Sequence, residues 1–397
     1  MNWKIRMKET IEEIVNVKRN LPDLRVNTEG DPDHGLLESE DRIMRIELME
    51  EFKPIVYSFN EFKITNDKRI ASIDSSSRYL RDFSVNFCLV GLSIYSNKKG
   101  FIDGPYSLDI PYMGISSYRK LLESLKLSDN NIRHKNILDY YYVNEPENQY
   151  KIDDIADELR TEAENVGLKN VIQDHDVVII DGPIYPTPLE LTEEFELETE
   201  ARRKHKIAYA KLVKERIMTI NGKVIGVVKR LENSKKLWRE NEISEKLGGK
   251  LNGLKDVTIL ELIDEKFCRK NYQYICIIGP FKIEYALEVK DENDNKILDH
   301  VPPKYAYYVI LRRPYFPLTF LRIESLERNF DFSSILSRIT ENLLPTYIEI
   351  VDKRSKRVSA SLFIYAYEIA SNNNLSVIHD DKITYSSIVT QFLLGSA

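Results

Sequence analysis

The chain has 397 residues and a formal net charge of −6; 42% of its residues are hydrophobic and 30% are charged. These proportions are typical of a globular protein and exclude a disordered chain, and the negative charge argues against nonspecific coating of nucleic acid. No apolar run is long enough to cross a bilayer, and the first residues lack the apolar core of a secretory signal. We therefore expect a cytoplasmic protein that does not bind membranes.

The N-terminal part of the chain has helical patterns. Apolar residues recur with helical spacing over residues 1–20 and again over about Leu36–Phe52, and a polar stretch with turn-forming residues separates the two segments. We predict an N-terminal helical extension, residues 1–60, followed by a continuous domain over residues 61–397. No low-complexity linker interrupts the second part.

From about Ile64 onward the pattern becomes that of strands. Short polar links that favour an antiparallel meander join three predicted strands: Arg69–Asp74, Ser84–Tyr95 and Gly100–Ile110. Helices are predicted over residues 113–127 and 151–168, and a further strand over Asp176–Ile184. The order strand, strand, strand, helix, strand is that of a ribonuclease-H-like core. The expected fold class is therefore α/β, with a mixed sheet flanked by helices and with N-terminal helical and C-terminal additions.

The remaining elements continue this alternation. A long helix is predicted from about Leu189 to Ile217, with an acidic first half and a basic second half that complement the helix dipole. Four strands are predicted after it: Lys223–Lys229, Gln273–Ile278, Ala306–Arg312 and Leu318–Ile323. Three helices are predicted near the C-terminus: residues 330–343, 358–371 and 384–394.

Two aspartates follow apolar, strand-like runs far apart in the chain. Asp74 is followed by three serines, and Asp181 is followed by Gly-Pro. An ionised carboxylate is not tolerated inside an apolar strand, but it is tolerated where a strand opens onto a polar cleft. Two such carboxylates brought together in one sheet form an oxygen-rich site for a hard divalent cation. We predict that their carboxyl groups lie within about 6 Å of each other, as shared coordination of one ion requires.

A third carboxylate is predicted on the helix that precedes Asp181. Positions 155, 159, 162 and 166 step by four, three and four residues and therefore share one face, which is apolar except for Glu162. A charged residue on an inward face is often only a rim residue. Because this helix leads directly into the Asp181 strand, we favour Glu162 as a ligand, with Glu158 and Glu164 as alternatives.

Several segments in the same order resemble the NurA nuclease family. They comprise two strands that end in aspartate, a later strand that ends in lysine, and a late strand with the sequence Arg-Ile-Glu: Ala71–Ser76, Val177–Ile184, Gly222–Arg230 and Leu311–Glu324. The resemblance extends from about residue 64 to 370. It implies a manganese-dependent nuclease acting on single- and double-stranded DNA, with Mg²⁺ as the other possible ion. It also implies a homodimer that works with the hexameric translocase HerA in resecting DNA ends.

The resemblance also assigns residues. The family's catalytic and metal-binding carboxylates correspond to Asp74 and Asp181, with Glu162 as the best-placed intervening glutamate. The family has a Tyr and a His in a helix near its C-terminus; here Tyr367 stands where the histidine is expected, and His379 lies beyond that helix. His379 is the candidate for the same role, and without it this chain is a slow or inactive paralogue. The metal site is expected to hold one or two ions, and a two-ion site would stabilise both the attacking and the leaving oxygen.

Basic residues near these strands are the candidates for phosphate contacts, which carry little sequence selectivity. They are Arg78, Lys229, Arg230, Arg312 and Arg313. A second Asp-Gly-Pro sequence begins at Asp103, but it lies in the meander and is expected to form a turn. The cysteines, Cys88, Cys268 and Cys276, lie in apolar segments without a CxxC pair and are expected to be buried thiols, not zinc ligands or disulfide partners.

Two other functions are compatible with this pattern. One is a non-catalytic subunit that binds DNA ends or a translocase, and the other is a ribonuclease or transposon-type nuclease on the same fold. The metal-site hypothesis makes a strict structural demand. Placement of Asp74 and Asp181 on opposite faces of the sheet, or burial of either in a pairing with arginine or lysine, would overturn the hydrolytic interpretation.

Overall fold

The computed structural model describes residues 3–19, 44–63, 67–82, 84–117, 121, 124–125, 132–133, 152–187, 191, 200–249, 251–269, 272–291 and 293–394. Parts of three predicted helices lie outside these residues: 36–43, most of 118–127, and 192–199. None of the described helices combines the length and the apolar character that a membrane crossing requires.

Twelve strands of the described residues form one mixed sheet. In chain order these strands are β1 (Met44–Leu48), β2 (Ile55–Tyr57), β3 (Ile70–Arg81), β4 (Val85–Ser96), β5 (Gly100–Gly104), β6 (Met113–Ser117), β7 (Ile132–Arg133), β8 (Val177–Asp181), β9 (Val224–Val228), β10 (Tyr274–Tyr285), β13 (Lys304–Arg312) and β14 (Thr319–Ser325). A small hairpin of β11 (Val289–Lys290) and β12 (Lys296–Leu298) stands apart. The main path across the large sheet runs β1-β10-β13-β14-β9-β8-β3-β4-β6-β7, with β2 on β10 and β5 on β4.

Eight helices pack on this sheet or extend from it. They are α1 (Trp3–Arg19), α2 (Ile152–Val171), α3 (Glu200–Thr219), α4 (Asn241–Leu247), α5 (Asp256–Ile263), α6 (Ser333–Leu336), α7 (Thr346–Asn372) and α8 (His379–Leu393), counted over the described residues. The predicted C-terminal helices exist, but their bounds differ: the first is a single short turn, α6, and the second, α7, begins twelve residues before the predicted start at 358.

The centre of the sheet has the ribonuclease-H-like order, which confirms the predicted fold class. Strands β3, β4 and β5 form the antiparallel meander, and β8 pairs in parallel with β3 after α2. After α3, β9 pairs in parallel with β8. Because β8 and β9 are parallel strands with α3 as their crossover helix, their C-terminal ends lie at the same edge of the sheet.

Two predicted helices are strands in the structure. Met44–Leu48 pairs with β10 and Met113–Ser117 pairs with β4, both antiparallel. Of the described part of residues 1–60, Trp3–Arg19 is the helix α1, whereas β1 and β2 belong to the large sheet. Short apolar runs are compatible with either secondary structure, and pairing with a distant strand decided the outcome here.

Helices cover both faces of the β3–β4 pair. On one face α2 approaches closely enough that a side chain at Gly167 would contact Ile73 and Leu92. On the other face α7 crosses β4 at Gly91, where an added Cβ would lie 2.6 Å from the backbone nitrogen of Ser359. The absence of a side chain at Gly91 therefore lets α7 lie directly on the sheet.

The prediction for the cysteines is wrong for two of them. Cys268 and Cys276 form a disulfide, while Cys88 is a buried free thiol. The one-turn π-helix Asp264–Cys268 ends beside the start of β10, which brings the two sulfur atoms together. Nothing in the local spacing of these cysteines indicated this contact, because the turn between them depends on the helix–strand junction.

Candidate metal centre

Three aspartates meet on the face of the sheet that α7 covers. Oxygen atoms of Asp74, Asp181 and Asp352 all lie within 4.8 Å of one another. Two ligands of one divalent cation with bonds of about 2.0–2.6 Å lie at separations of this order. The structure therefore brings Asp74 and Asp181 together, as the sequence predicted, and adds a third carboxylate from a helix.

Sheet pairing positions the first two aspartates. Ile73 of β3 is the parallel partner of Ile180 of β8, so the residues that follow them, Asp74 and Asp181, are neighbours. Asp181 is the last residue of β8, and the chain turns away at Gly182, whose φ of +130° is rarely accessible to other residues. Asp74, in contrast, lies within β3, which continues to Arg81 beyond the end of β8. The carboxylate is accommodated because β8 ends beside it.

Helix α7 supplies the third aspartate and a hydroxyl group. Asp352 and Ser355 are one helical turn apart and therefore project from the same side of α7. The hydroxyl of Ser355 donates a hydrogen bond to Oδ2 of Asp74. This contact, together with the close approach at Gly91, fixes the position of α7 over the strand ends.

Burial and neighbouring carboxylates raise the pKa values of the two strand aspartates. Burial, followed by the nearby Asp181 charge, raises the pKa of Asp74 to about 8. Burial also raises the pKa of Asp181 to about 6, although Lys229 opposes the change. A proton shared among crowded carboxylates is the expected state of such a cluster without a cation. The environment therefore favours either a bound proton or a bound metal ion.

Lys229 lies inside the cluster. Its Nζ is 2.6 Å from Oδ2 of Asp181 and 2.6 Å from Oδ1 of Asp352. The pairing with Asp181 is the kind of contact that we expected to argue against a metal site, and it places Lys229 on carboxylates instead of on an exposed phosphate-binding surface. However, one ammonium group is shared by two carboxylates, and the pKa of Asp181 stays raised in its presence. The lysine therefore reduces the negative charge of the cluster, while burial still keeps the pKa of Asp181 above its ordinary value.

Asp352 has a second partner. Nζ of Lys356, on the solvent side of α7, lies 2.8 Å from Oδ2 of Asp352. Although burial opposes it, the hydrogen bonds from Lys229 and Lys356 lower the pKa of Asp352. Asp352 is therefore ionised at neutral pH.

The predicted helix carboxylate is not in this cluster. Glu162 is half-buried on α2 and is not among the acidic groups that meet at the site. Of the two alternatives, Glu158 is hydrogen-bonded to His205 of α3, whereas Glu164 accepts a hydrogen bond from Ser75 at 2.6 Å and pairs with Arg216. Glu164 thus contacts the residue that follows Asp74 on β3, and its charge is among those that raise the pKa values of Asp74 and Asp181. The predicted face was misjudged because α2 is buried on two sides, against the sheet and against α3.

His379 lies far from the cluster. It is the exposed first residue of α8, and the residue before it, Ile378, is hydrogen-bonded to Arg81 at the far end of β3. Arg81 is seven residues from Asp74, or about 23 Å along an extended strand. Tyr367 stacks on Tyr385 with ring centroids 4.1 Å apart. Neither residue joins the carboxylates, so a catalytic role for His379 has no geometric support in the described residues.

The other predicted basic residues lie around the site at different distances. Arg78 is four residues beyond Asp74 on β3, and its buried Nε has no hydrogen-bond partner among the described residues. Arg230 is exposed next to Lys229. At the β13–β14 hairpin, Arg312 pairs with Asp264 at 3.4 Å, and Arg313 donates to the carbonyl of Thr340 at 3.1 Å. Their contacts to nucleic acid stay a prediction.

Asp103 forms the expected turn and also an ion pair. Its carbonyl accepts a hydrogen bond from the backbone of Ser107. Its carboxylate accepts from Ser93 and from both Nε and Nη2 of Arg354 on α7. Because Arg354 neutralises it, Asp103 is separate from the metal-centre carboxylates even though it lies in the same cross-strand row as Asp74.

Sequence reasoning missed Asp352. It lies in a helix next to a lysine, a pattern that usually indicates a solvated face. The same spacing argument that selected Glu162 applies to α7, where positions 348, 352, 355 and 359 step by four, three and four residues. An aspartate between an isoleucine and two serines on that face is the signal that the sequence offered.

Comparison with known proteins gives one family. The NurA domain model matches residues 68–357, which is more than half of the chain. Among solved structures, the NurA nuclease from Sulfolobus solfataricus is 13% identical with a TM-score of 0.42, covering 81% of this chain and 86% of that one. A structure of NurA with manganese is 9% identical with a TM-score of 0.41, covering 93% and 98%. No curated protein matches the sequence significantly.

Proposed function

Because the chain belongs to the NurA family, we propose that it is a divalent-metal-dependent nuclease that hydrolyses phosphodiester bonds in DNA. The observation that supports this most strongly is the convergence of Asp74, Asp181 and Asp352 within 4.8 Å. Such a cluster is electrostatically unfavourable for folding and is explained by a requirement for a cation.

The donor set is suited to Mn²⁺ or Mg²⁺. All three candidate ligands are carboxylates, which hard divalent cations prefer, and no cysteine or histidine of the described residues joins them. A cation held there would supply Lewis-acid stabilisation of the phosphoryl oxygens and would activate water as the nucleophile. Manganese is the first choice because the family resemblance implies it.

The residues around the cation have separate roles in this proposal. Asp74, Asp181 and Asp352 would hold the ion, and the hydroxyl of Ser355 orients the carboxylate of Asp74. The ammonium of Lys229 lies 2.6 Å from two of these carboxylates and would be released from them in the loaded site. Lys229 would then be placed to donate to a phosphate oxygen of the substrate.

The cellular role that we propose follows from the family resemblance. In this role the protein acts as a homodimer with a HerA-type hexameric translocase and resects DNA ends during double-strand break repair. The acidic chain would meet DNA through a local basic surface, so binding should weaken strongly with salt.

The test is a cleavage assay with Mn²⁺ on end-labelled single- and double-stranded DNA. Asp181→Asn and Asp352→Asn should each lower the rate by at least about 100-fold, because each removes a candidate ligand. The matched control is Asp176→Asn, which lies directly before the same strand in an exposed pair with Arg69 at 2.9 Å and should leave the rate within about 2-fold. Equal rates in all four proteins would refute the metal centre, and preferential cleavage of RNA in competition would replace DNA as the substrate.

A second candidate function is a DNA-end-binding or translocase-adaptor subunit without nuclease activity. It is favoured by the Lys229–Asp181 pair and by the distance between His379 and the carboxylates. This alternative predicts no metal-dependent cleavage even at high protein concentration, together with retained binding to DNA ends.

A further inference from the structure

A polar cavity, separate from the aspartate cluster, lies beside the first turn of α7. It has a volume of about 240 Å³ and opens between the end of β4, the short helix α6 and the start of α7. Its polar lining includes two cations and three hydroxyl groups: Lys98, Arg338, Ser333, Ser337 and Thr346. Tyr95 and Tyr347 also line it, and no aspartate or glutamate of the described residues does.

The two cations of this cavity are not neutralised. Neither Lys98 nor Arg338 forms an ion pair within the part of the chain that the structure describes, and both are exposed. The acidic residue that precedes α6, Asp331, is already paired with Lys68 at 2.8 Å and accepts a hydrogen bond from the backbone of Ser333. In a chain of net charge −6, a cavity lined by two unpaired cations and no acid is a local exception.

The cavity lies on the same face of the sheet as the metal centre. Ile70, at its floor, is four residues before Asp74 on β3, or about 13 Å along the strand. Tyr347 is eight residues before Ser355 on α7, or about 12 Å along the helix axis. The two measures agree because α7 runs along β3, so a single helix positions both the cavity and the metal centre.

We propose that this cavity is a phosphate-binding site that holds a backbone phosphate of the nucleic-acid strand a few nucleotides from the bond that is cut. Lysine, arginine and hydroxyl side chains are the groups that proteins use for phosphate oxygens, and such contacts position a strand without reading its sequence. The identity of the strand as substrate rests on the proposed nuclease function, whereas the phosphate chemistry of the cavity does not.

The experiment measures binding separately from cleavage. Fluorescence anisotropy with a labelled 12-nucleotide single-stranded DNA, in EDTA so that no metal-dependent cleavage occurs, compares the wild-type chain with Lys98→Gln/Arg338→Gln. The double variant should weaken binding at least 10-fold. It should also lower the slope of log affinity against log salt by about 0.7, because the contact to one phosphate of a single strand is lost. The matched control, Lys290→Gln/Lys296→Gln, removes the same charge from exposed lysines around Glu288 and should change affinity less than 3-fold.

The outcomes separate the two sources of phosphate and the two proposals. If the double variant binds the oligonucleotide as tightly as the wild type, the assignment is overturned. This holds even if 10 mM inorganic phosphate raises the Tm of the wild type and not that of the variant, because the cavity would then bind the free anion and not the strand. Equal weakening by the control pair also overturns it, because the effect would then be one of overall charge. The Mn²⁺ cleavage assay is run in parallel. If the wild type cleaves DNA and the double variant binds normally, only the phosphate-site proposal is refuted. If the double variant binds DNA weakly and the wild type does not cleave it, only the proposed nuclease function is refuted.

Discussion

The ammonium of Lys229 occupies a position that decides how the aspartate cluster behaves. It lies 2.6 Å from Asp181 and from Asp352 and is largely buried, with 19% of its side chain exposed. Although burial opposes it, the charge of Asp181 and the hydrogen bonds that Lys229 donates to Asp181 and Asp352 raise the pKa of Lys229, so it stays charged. A buried cation of this kind stabilises the metal-free protein and at the same time opposes the entry of a second cation.

We predict that Lys229→Met tightens Mn²⁺ binding and destabilises the metal-free protein. Removing the competing charge should raise the affinity for Mn²⁺ by at least about 10-fold in isothermal titration calorimetry, equivalent to about 1.4 kcal/mol. The free energy of unfolding in EDTA should fall by about 3 kcal/mol, because two buried carboxylates lose their partner.

The control for this prediction is Lys356→Met. Lys356 also pairs with Asp352, at 2.8 Å, but its side chain is 53% exposed, so both effects should be small. A loss of Mn²⁺ affinity in Lys229→Met would contradict the competition argument and would make the lysine a group that positions the ligands.

At the level of elements, the sequence predicted the central strands well and the added elements poorly. Strands β3, β4, β8 and β9 are long or continuous apolar runs, and their order alone indicated the ribonuclease-H-like core. Met44–Leu48 was mistaken for part of a helix because its partner, β10, lies more than 200 residues further along the chain. Pairing over such a distance leaves no signal in the local pattern.

The same distinction explains which parts of the site were predictable. Asp74 and Asp181 follow directly from strand patterns, since a carboxylate at the end of an apolar run has few structural explanations. Asp352 lies on a helix, where a carboxylate every few residues is ordinary, so only the packing of α7 against the sheet selects it. The sequence thus predicted two of the three clustered carboxylates, while Glu162 of α2 lies outside the cluster.

The placement of α7 on the sheet depends on its close contact with Gly91. Gly91→Ala would place a Cβ 2.6 Å from the backbone nitrogen of Ser359 and 2.7 Å from Cγ1 of Val358, so α7 must shift. We expect a loss of about 1–3 kcal/mol in urea unfolding, as for other overpacked positions, and weaker Mn²⁺ binding because Asp352 moves with the helix.

Gly249→Ala is the control for Gly91→Ala, because no atom lies within 4 Å of a Cβ added at Gly249. The free energy of unfolding of this control should change by less than about 0.5 kcal/mol. If Gly91→Ala loses stability but keeps full Mn²⁺ affinity, α7 tolerates the shift without moving the ligand. The link between this contact and the metal centre would then be wrong.

For the whole molecule, the candidate metal centre couples folding to pH and to metal binding. Its carboxylates come from β3, β8 and α7, which are far apart in the sequence, so the cluster exists only in the folded state. Protons or cations that bind it therefore stabilise the fold, and the protein without a cation should be less stable where the carboxylates must ionise.

The direction of the pH effect follows from the raised pKa of Asp74, about 8 in the folded protein. An unfolded aspartate has a pKa of about 3.9, so between about pH 4 and pH 8 the folded state holds a proton that the unfolded state has lost. Stability in EDTA should therefore fall as the pH rises through this window. In urea unfolding, the free energy of unfolding of the wild type should fall by about 2 kcal/mol relative to that of Asp74→Asn between pH 6 and pH 8.

Mn²⁺ should reverse this trend and raise the Tm of the wild type more at pH 8 than at pH 6, because protons compete for the same oxygens. If the free energies of unfolding of wild type and Asp74→Asn differ by the same amount at every pH, Asp74 is ionised throughout. The cluster would then not need a cation.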